Sequence, residues 1–243
     1  MLRCQLALLK LLLSLFFASS LLEAKSQVTE KLPSLEVAKT NAINFSLDLV
    51  GTRSSPVLNG KEYLLYRPLE KEHPYLTNTW LKGTIDYNGD RYSDIFLLYD
   101  INTDQVITKY FTGDAFCLVK PFIGSFTLEN RKFVQLRDSS VNLGFYELLS
   151  DNKVKVYAKR EKIVRETATA AQEIHRDFEE RTRYLLYKNS GFIEVNNKKS
   201  LLQAFAPQAT ALKQFIREKK LKFKSSTFET SMVQVVAFCE QVP

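Results

Sequence analysis

Five aspartates fall within residues 83–104, GTIDYNGDRYSDIFLLYDINTD. Asp86, Asn88 and Asp90 are spaced like the first ligands of a calcium loop, and paired carboxylates are also what a glycosidase uses. The calcium reading fails on the rest of the loop. Counted from Asp86, the sixth position needs a Gly and holds Arg91, and the twelfth needs a bidentate Glu and holds Leu97. Asn88-Gly89 instead predicts a two-residue hairpin turn, because a type I′ turn needs positive φ at both central residues. Tyr87 and Asp90 then flank the turn, with Asp86 opposite Arg91, Ile85 opposite Tyr92 and Leu81 opposite Phe96. This register places Leu81, Ile85, Tyr87, Tyr92, Phe96 and Leu98 on one core-facing side, and gives Asp86 and Arg91 a cross-strand ion pair. Asp100, Asn102 and Asp104 bracket the next turn, where such side chains bond their own backbone. The aspartates are read as turn chemistry, with no metal ligand among them.

Other chemistry has few carriers. His73 and His175 are the only histidines, and no GxSxG elbow accompanies them. No His–carboxylate cluster for a metal hydrolase and no CxxC appear, and eight glycines form no phosphate-cradling loop, so no cofactor is expected. Asp94, Asp100 and Glu147 lie in or near strands and keep a carboxylate-dependent glycan hydrolase as the alternative function. Cys117 lies in an apolar run and Cys239 on the apolar stripe of a helix; whether they pair stays open. Of the 17 Phe and 11 Tyr most suit a sheet core, but Trp80, Tyr87, Tyr92 and Tyr99 cluster near one hairpin and are the candidate ligand-contact aromatics.

The elements that must position these residues begin with a leader. Residues 1–24 have a basic start, the apolar run Leu11–Ala18 and small residues after it, the layout of a signal peptide. No later segment reaches the roughly 18 apolar residues of a membrane helix. Removing residues 1–26 takes away Arg3, Lys10 and Lys25 against Glu23, lowering the net charge from +7 to +5. Outside the cytoplasm, in the periplasm or beyond the cell, nucleic acid is not the expected partner of that charge; an anionic glycan, lipid headgroups or the acidic face of an envelope protein suit it, with solubility alone as the other reading.

Residues 27–195 read as an antiparallel β domain. Phe45–Val50, Tyr63–Tyr66, Val106–Tyr110, two segments within 115–128 bent at Pro121, Arg131–Leu136, Gly144–Leu149, Lys153–Val156 and a hairpin about Asn189–Gly191 are the strand candidates. Residues 161–182, EKIVRETATAAQEIHRDFEERT, break the pattern. Ile163, Ala170, Ile174 and Phe178 form a thin stripe at helical spacing, so a charged helical or mobile excursion is expected. Residues 196–243 switch to helical period. Ser200–Phe205 is a short helix, Pro207 opens the next, and Ser226-Thr227-Phe228-Glu229 matches a capping box. Phe228, Met232, Val235, Val236 and Cys239 form the apolar stripe of the last helix. The run REKKLKFK, 217–224, puts cations at the negative end of the middle helix, with an anionic binding patch as the other reading.

GTIDYNGDRYSDIFLLYDINTDQVI, GFYELL followed by KVYAKR, and KKSLLQAF followed by LKQFIREKKLKF resemble uncharacterised exported proteins of Gram-negative bacteria, over about Leu58 to the C-terminus. The resemblance implies export and carries no catalytic residue. The expected molecule is an α+β protein, an antiparallel β-meander forming a twisted sheet or partly closed barrel with C-terminal helices packed on it. Its expected role is non-enzymatic binding or interaction in the cell envelope.

Overall fold

In the computed structural model Asn88 and Gly89 both have positive φ, 53° and 87°, as a type I′ turn demands. Asp86 pairs with Arg91 and Ile85 with Tyr92. The structure describes residues 35, 37–39, 42, 60–66, 73–110, 112–168 and 174–241. The leader 1–24 and the strand expected at Phe45–Val50 lie outside them. Residues 1–38 form one compact unit, of which Leu35, Val37 and Ala38 are described, in helical conformation; everything below belongs to the second, Lys39–Pro243.

Eleven described strands make one antiparallel sheet. They are β1 (Gly60–Glu62), β2 (Leu81–Tyr87), β3 (Asp90–Asp100), β4 (Gln105–Lys109), β5 (Ala115–Leu118), β6 (Ile123–Leu128), β7 (Arg131–Leu136), β8 (Gly144–Asp151), β9 (Lys155–Ala168), β10 (Ile174–Lys188) and β11 (Gly191–Val195). The spatial order is β1-β5-β4-β3-β2-β6-β7-β8-β9-β10-β11. The chain meanders through β2–β5, returns to lay β6 beside β2, and meanders again to β11. This fits the expected α+β class, with β structure dominant. Tyr63–Tyr66 is irregular; the strand there is β1, which pairs with β5.

The return from β5 to β6 forces the sheet to curl. Laid flat, β5 and β6 would stand about 19 Å apart, four strand spacings. Residues 119–122 link them, and three of these, Lys120–Phe122 with Pro121 in the middle, are 3-10 helix, so the link spans only about 13 Å. The concave face is filled by aromatic residues: Tyr99 meets Phe126, Phe133 and Phe145 edge-on, at centroid separations of 5.2, 5.3 and 6.1 Å. The sheet stays open, with β1 and β11 as its edges. Its curl nevertheless brings the β3–β4 turn onto β9, where Lys162 N donates to Ile101 O at 3.2 Å.

One residue changes the predicted face of β3. The register slips between Gly83 and Ile85, so that Leu81 pairs with Leu97, not Phe96. Asp94 sits in the slip with φ 58°, a conformation aspartate tolerates better than most residues. Beyond the bulge Leu97 and Tyr99 turn inward with Ile85 and Tyr92, Leu98 joins a cluster with Tyr75 and Ile107, and Phe96 is 41% exposed.

The expected helical excursion is a correction. Residues 161–168 and 174–182 extend β9 and β10 into a long antiparallel arm. Its register explains the charges: Glu161 stands opposite Arg181, Lys162 opposite Glu180, Arg165 opposite Asp177 and Glu166 opposite Arg176. Opposite charges across a strand pair favour that pairing, which a thin helical stripe could not match.

The C-terminal helices α1 (Lys198–Ala204), α2 (Ala209–Glu218) and α3 (Phe228–Gln241) pack on the other end of the sheet. Asn197 and Ser200 form a capping box at α1, and a 3-10 turn containing Pro207 feeds α2. The α3 stripe is buried as predicted, with Phe228, Met232, Val235, Val236 and Cys239 joining Val156, Leu186 and Val195 of the sheet and Val154 of the β8–β9 turn. The Glu229 carboxylate, expected in a capping box with Ser226, bonds Arg160 and Tyr184 across the interface. Among the described residues no helix is long and apolar enough to cross a membrane.

Candidate functional site

The predicted aromatics are mostly core. Tyr87, Tyr92 and Tyr99 are at most 2% exposed, so three of the four cannot present a ring to a ligand. Trp80 is half-buried against Tyr75 and Ile107, with Lys109 Nζ 5.1 Å above its ring. The carboxylates are dispersed. Asp86 accepts from Ser125 Oγ and pairs with Arg91. Asp94 is exposed in its bulge. Asp100 is buried, takes the Asn102 and Thr103 amides on Oδ1 at 2.9 Å and the Tyr63 hydroxyl on Oδ2 at 2.8 Å, which is the predicted turn chemistry. Among the described residues no group of His, Cys, Asp and Glu has the arrangement to hold a metal ion. Cys117 and Cys239 are not bridged, and burial pushes both thiols up to about 11, away from thiolate chemistry near neutral pH. His175 falls in β10, and His73 faces Lys162.

Two ion networks share β9. The first is closed. Glu147 on β8 receives Arg131 Nε and Nη2 in a fork, both at 2.7 Å, and Arg160 Nε at 2.7 Å. Arg160 Nη2 also reaches Glu229 of α3 at 2.7 Å, and the Tyr184 hydroxyl donates to the same carboxylate at 3.1 Å. Burial pushes the Glu147 carboxyl up, but the Arg131 and Arg160 guanidiniums outweigh it and hold it below its ordinary value. A carboxylate pinned ionised by two arginines is a poor general acid, so this network is a brace between sheet and helix.

The second network is open. It lines a cleft of about 460 Å³ where the β3–β4 turn meets the β9–β10 arm. Asp104, at φ 56°, holds the turn end: Oδ2 meets Lys120 Nζ at 2.5 Å, and Oδ1 meets Lys159 Nζ at 2.7 Å and the Tyr99 hydroxyl at 2.6 Å. Burial raises the Asp104 pKa, yet Lys159 and Lys120 outweigh it and keep the carboxyl below its ordinary value. Lys159 itself is lowered, burial outweighing the attraction of Asp104. Gly144 makes this approach possible, since a Cβ there would stand 2.2 Å from Asp104 Oδ2 and 2.6 Å from Lys159 Nζ. On the arm, Glu161 takes a fork from Arg183 at 3.0 and 2.8 Å. Lys162, 7% exposed, donates to His73 O at 3.0 Å and lies 3.4 Å from Glu180.

The cleft lining therefore carries four cations, Lys159, Lys162, Arg181 and Arg183, against two carboxylates, Asp104 and Glu161. Ile101, Ile163 and Val164 add an apolar wall. Sequence reasoning placed none of these cations in a site, because it treated 161–182 as an excursion. The signal was present in the opposed charges of EKIVRE and RDFEER, which meet as four opposite-charge pairs in the antiparallel register.

With this geometry in hand, the chain was compared with known proteins; no family model, curated protein or solved structure matches it.

Proposed function

We propose that the protein is a non-enzymatic binding protein exported to the cell envelope, and that the cleft between the β3–β4 turn and the β9–β10 arm takes an anionic glycan. The observation that carries this reading is the excess of two cations over carboxylates in the cleft lining. Lys159 and Lys162 are almost fully buried, so they are desolvated in advance and have little side-chain freedom left to lose. The apolar wall of Ile163 and Val164 suits the faces of sugar rings, while the guanidinium of Arg181 suits a carboxylate. Export rests on the leader-like residues 1–24.

Calorimetric titration with oligogalacturonate, and with a neutral galactan as control, tests the proposal. The uronate should bind and the neutral glycan should not. Arg181→Gln removes one exposed cation from the lining and should weaken binding about tenfold, the worth of one charged hydrogen bond. Equal heats from both glycans, or an unchanged affinity in the variant, would contradict it.

A further inference from the structure

A second surface, at the opposite kind of element, has no part in the cleft. Residues 196–224 hold eight Lys and Arg against one acid, Glu218, a net charge of +7 that equals the charge of the whole 243-residue chain. The remaining residues sum to zero, so the net positive charge of the sequence resides in this segment. The helix-dipole reading of these cations covers only part of them. Arg217 lies in the last turn of α2, where a cation is favourable, but Lys198 and Lys199 occupy the first turn of α1, where the dipole opposes positive charge. Cations kept in an unfavourable position call for another cause.

The helices form an amphiphilic groove beside these charges. It is a trough of about 590 Å³ between α1 and α2, with Leu202, Ala206 and Ala209 as its floor and Lys198, Lys199 and Lys213 as its rim. The three lysines are exposed. Among the described residues its lining contains no Trp, Tyr or Arg, the side chains that anchor protein partners, and it is rich in Lys, which protein interfaces avoid. An apolar floor also has no use in holding a nucleic-acid backbone. Point cations above an aliphatic floor match one ligand chemistry, a phosphate head carried on hydrocarbon.

We propose that the α1–α2 groove and the surrounding basic surface dock the protein on a membrane containing anionic phospholipid, with headgroup phosphates on Lys198, Lys199 and Lys213 and acyl carbons against Leu202, Ala206 and Ala209. The interaction is peripheral, and Lys stems lie along the apolar surface while their ammonium groups stay at headgroup level.

The test is co-sedimentation of the full chain with phosphatidylcholine vesicles, with and without phosphatidylglycerol. Phosphatidylglycerol should raise the partition coefficient, and added salt should reverse the rise. The triple variant Lys198→Gln, Lys199→Gln, Lys213→Gln should lose roughly 100-fold of that increment, since each cation near an anionic surface contributes about a tenfold factor or less. Ala206→Glu, a change at an exposed floor position, should weaken binding while sparing the fold. Bound vesicles should protect backbone amides of residues 198–213 from exchange, and Arg181→Gln should partition like the parent chain. Equal partitioning onto both vesicle types, an unaffected triple variant, or amide protection confined elsewhere would overturn the proposal. An acidic protein captured by a chain that ignores anionic vesicles would assign the groove to a protein partner instead.

Discussion

The two ion networks on β9 are built from the same residue types a few positions apart, yet only one lines an open cleft. Around Glu147 every charge is answered by another, and α3 lies over the network through Glu229. Around Lys162 and Arg181 no helix contributes to the cleft lining among the described residues, cations outnumber carboxylates in it, and one wall is the β9–β10 arm. Covered charge has to be balanced, because an unpaired buried ion costs several kcal/mol: the buried Lys159 and Lys162 have Asp104 and Glu180, and the excess in the cleft falls on Arg181, which is exposed and can be left so. What distinguishes the brace from the proposed binding cleft is therefore the balance and the cover, not the residue types.

The comparison breaks most easily where α3 is anchored. Phe228 packs against Tyr184 and Phe223 at 5.3 and 6.0 Å, and it precedes Glu229 in the first turn of α3. Phe228→Ala should cost about 3–5 kcal/mol and unfold the whole of Lys39–Pro243 in one transition. Urea titration followed by circular dichroism would show this, and an unchanged midpoint would mean that α3 is an independent tail. Glu147→Gln should cost about 3 kcal/mol, at the lower end of the range for breaking a buried pair, because Arg160 keeps Glu229.

The same variant sharpens the pH dependence. Glu147 and Asp104 are held below their ordinary values of 4.5 and 3.8, so in the folded state they bind protons less readily than in the unfolded one. The stability they add is fully present above those values and is lost as pH falls through the depressed folded values. The parent chain should lose stability steeply below about pH 4.5, and Glu147→Gln should lose less across the same interval. Identical acid limbs in denaturation curves taken across that range would remove Glu147 from the account. The smallest effect belongs to the exposed pair on the first hairpin: Asp86→Ala should change stability by only a few tenths of a kcal/mol.

What the sequence made legible was local chemistry. Asn88-Gly89 dictates its turn through backbone sterics alone, and the α3 stripe needs only helical spacing. Asp94 was not legible, because an aspartate at positive φ is allowed by its side chain but demanded only by the register of β2 on β3. The arm was misread for a related reason. Ile163 and Phe178 fit a helical stripe, whereas the pairing that wins depends on charges up to 20 residues apart, Glu161 against Arg181. The cleft was hidden further still, since Ile101 and Lys162 meet only when the four strands between β3 and β9 curl. The three buried tyrosines, Tyr87, Tyr92 and Tyr99, show the converse error, in which sequence proximity to a hairpin was taken for surface.

The separation of brace from binding site is tested most directly by thermal unfolding of three chains with and without saturating oligogalacturonate. Ligand at about 100 times its dissociation constant adds roughly 2.7 kcal/mol to the stability of any chain that binds it. The account predicts that the parent chain and Glu147→Gln both rise by this increment, although Glu147→Gln starts from a lower midpoint. Arg181→Gln should start where the parent does and rise distinctly less at the same ligand concentration. A ligand-induced rise lost in Glu147→Gln and kept in full by Arg181→Gln would contradict it.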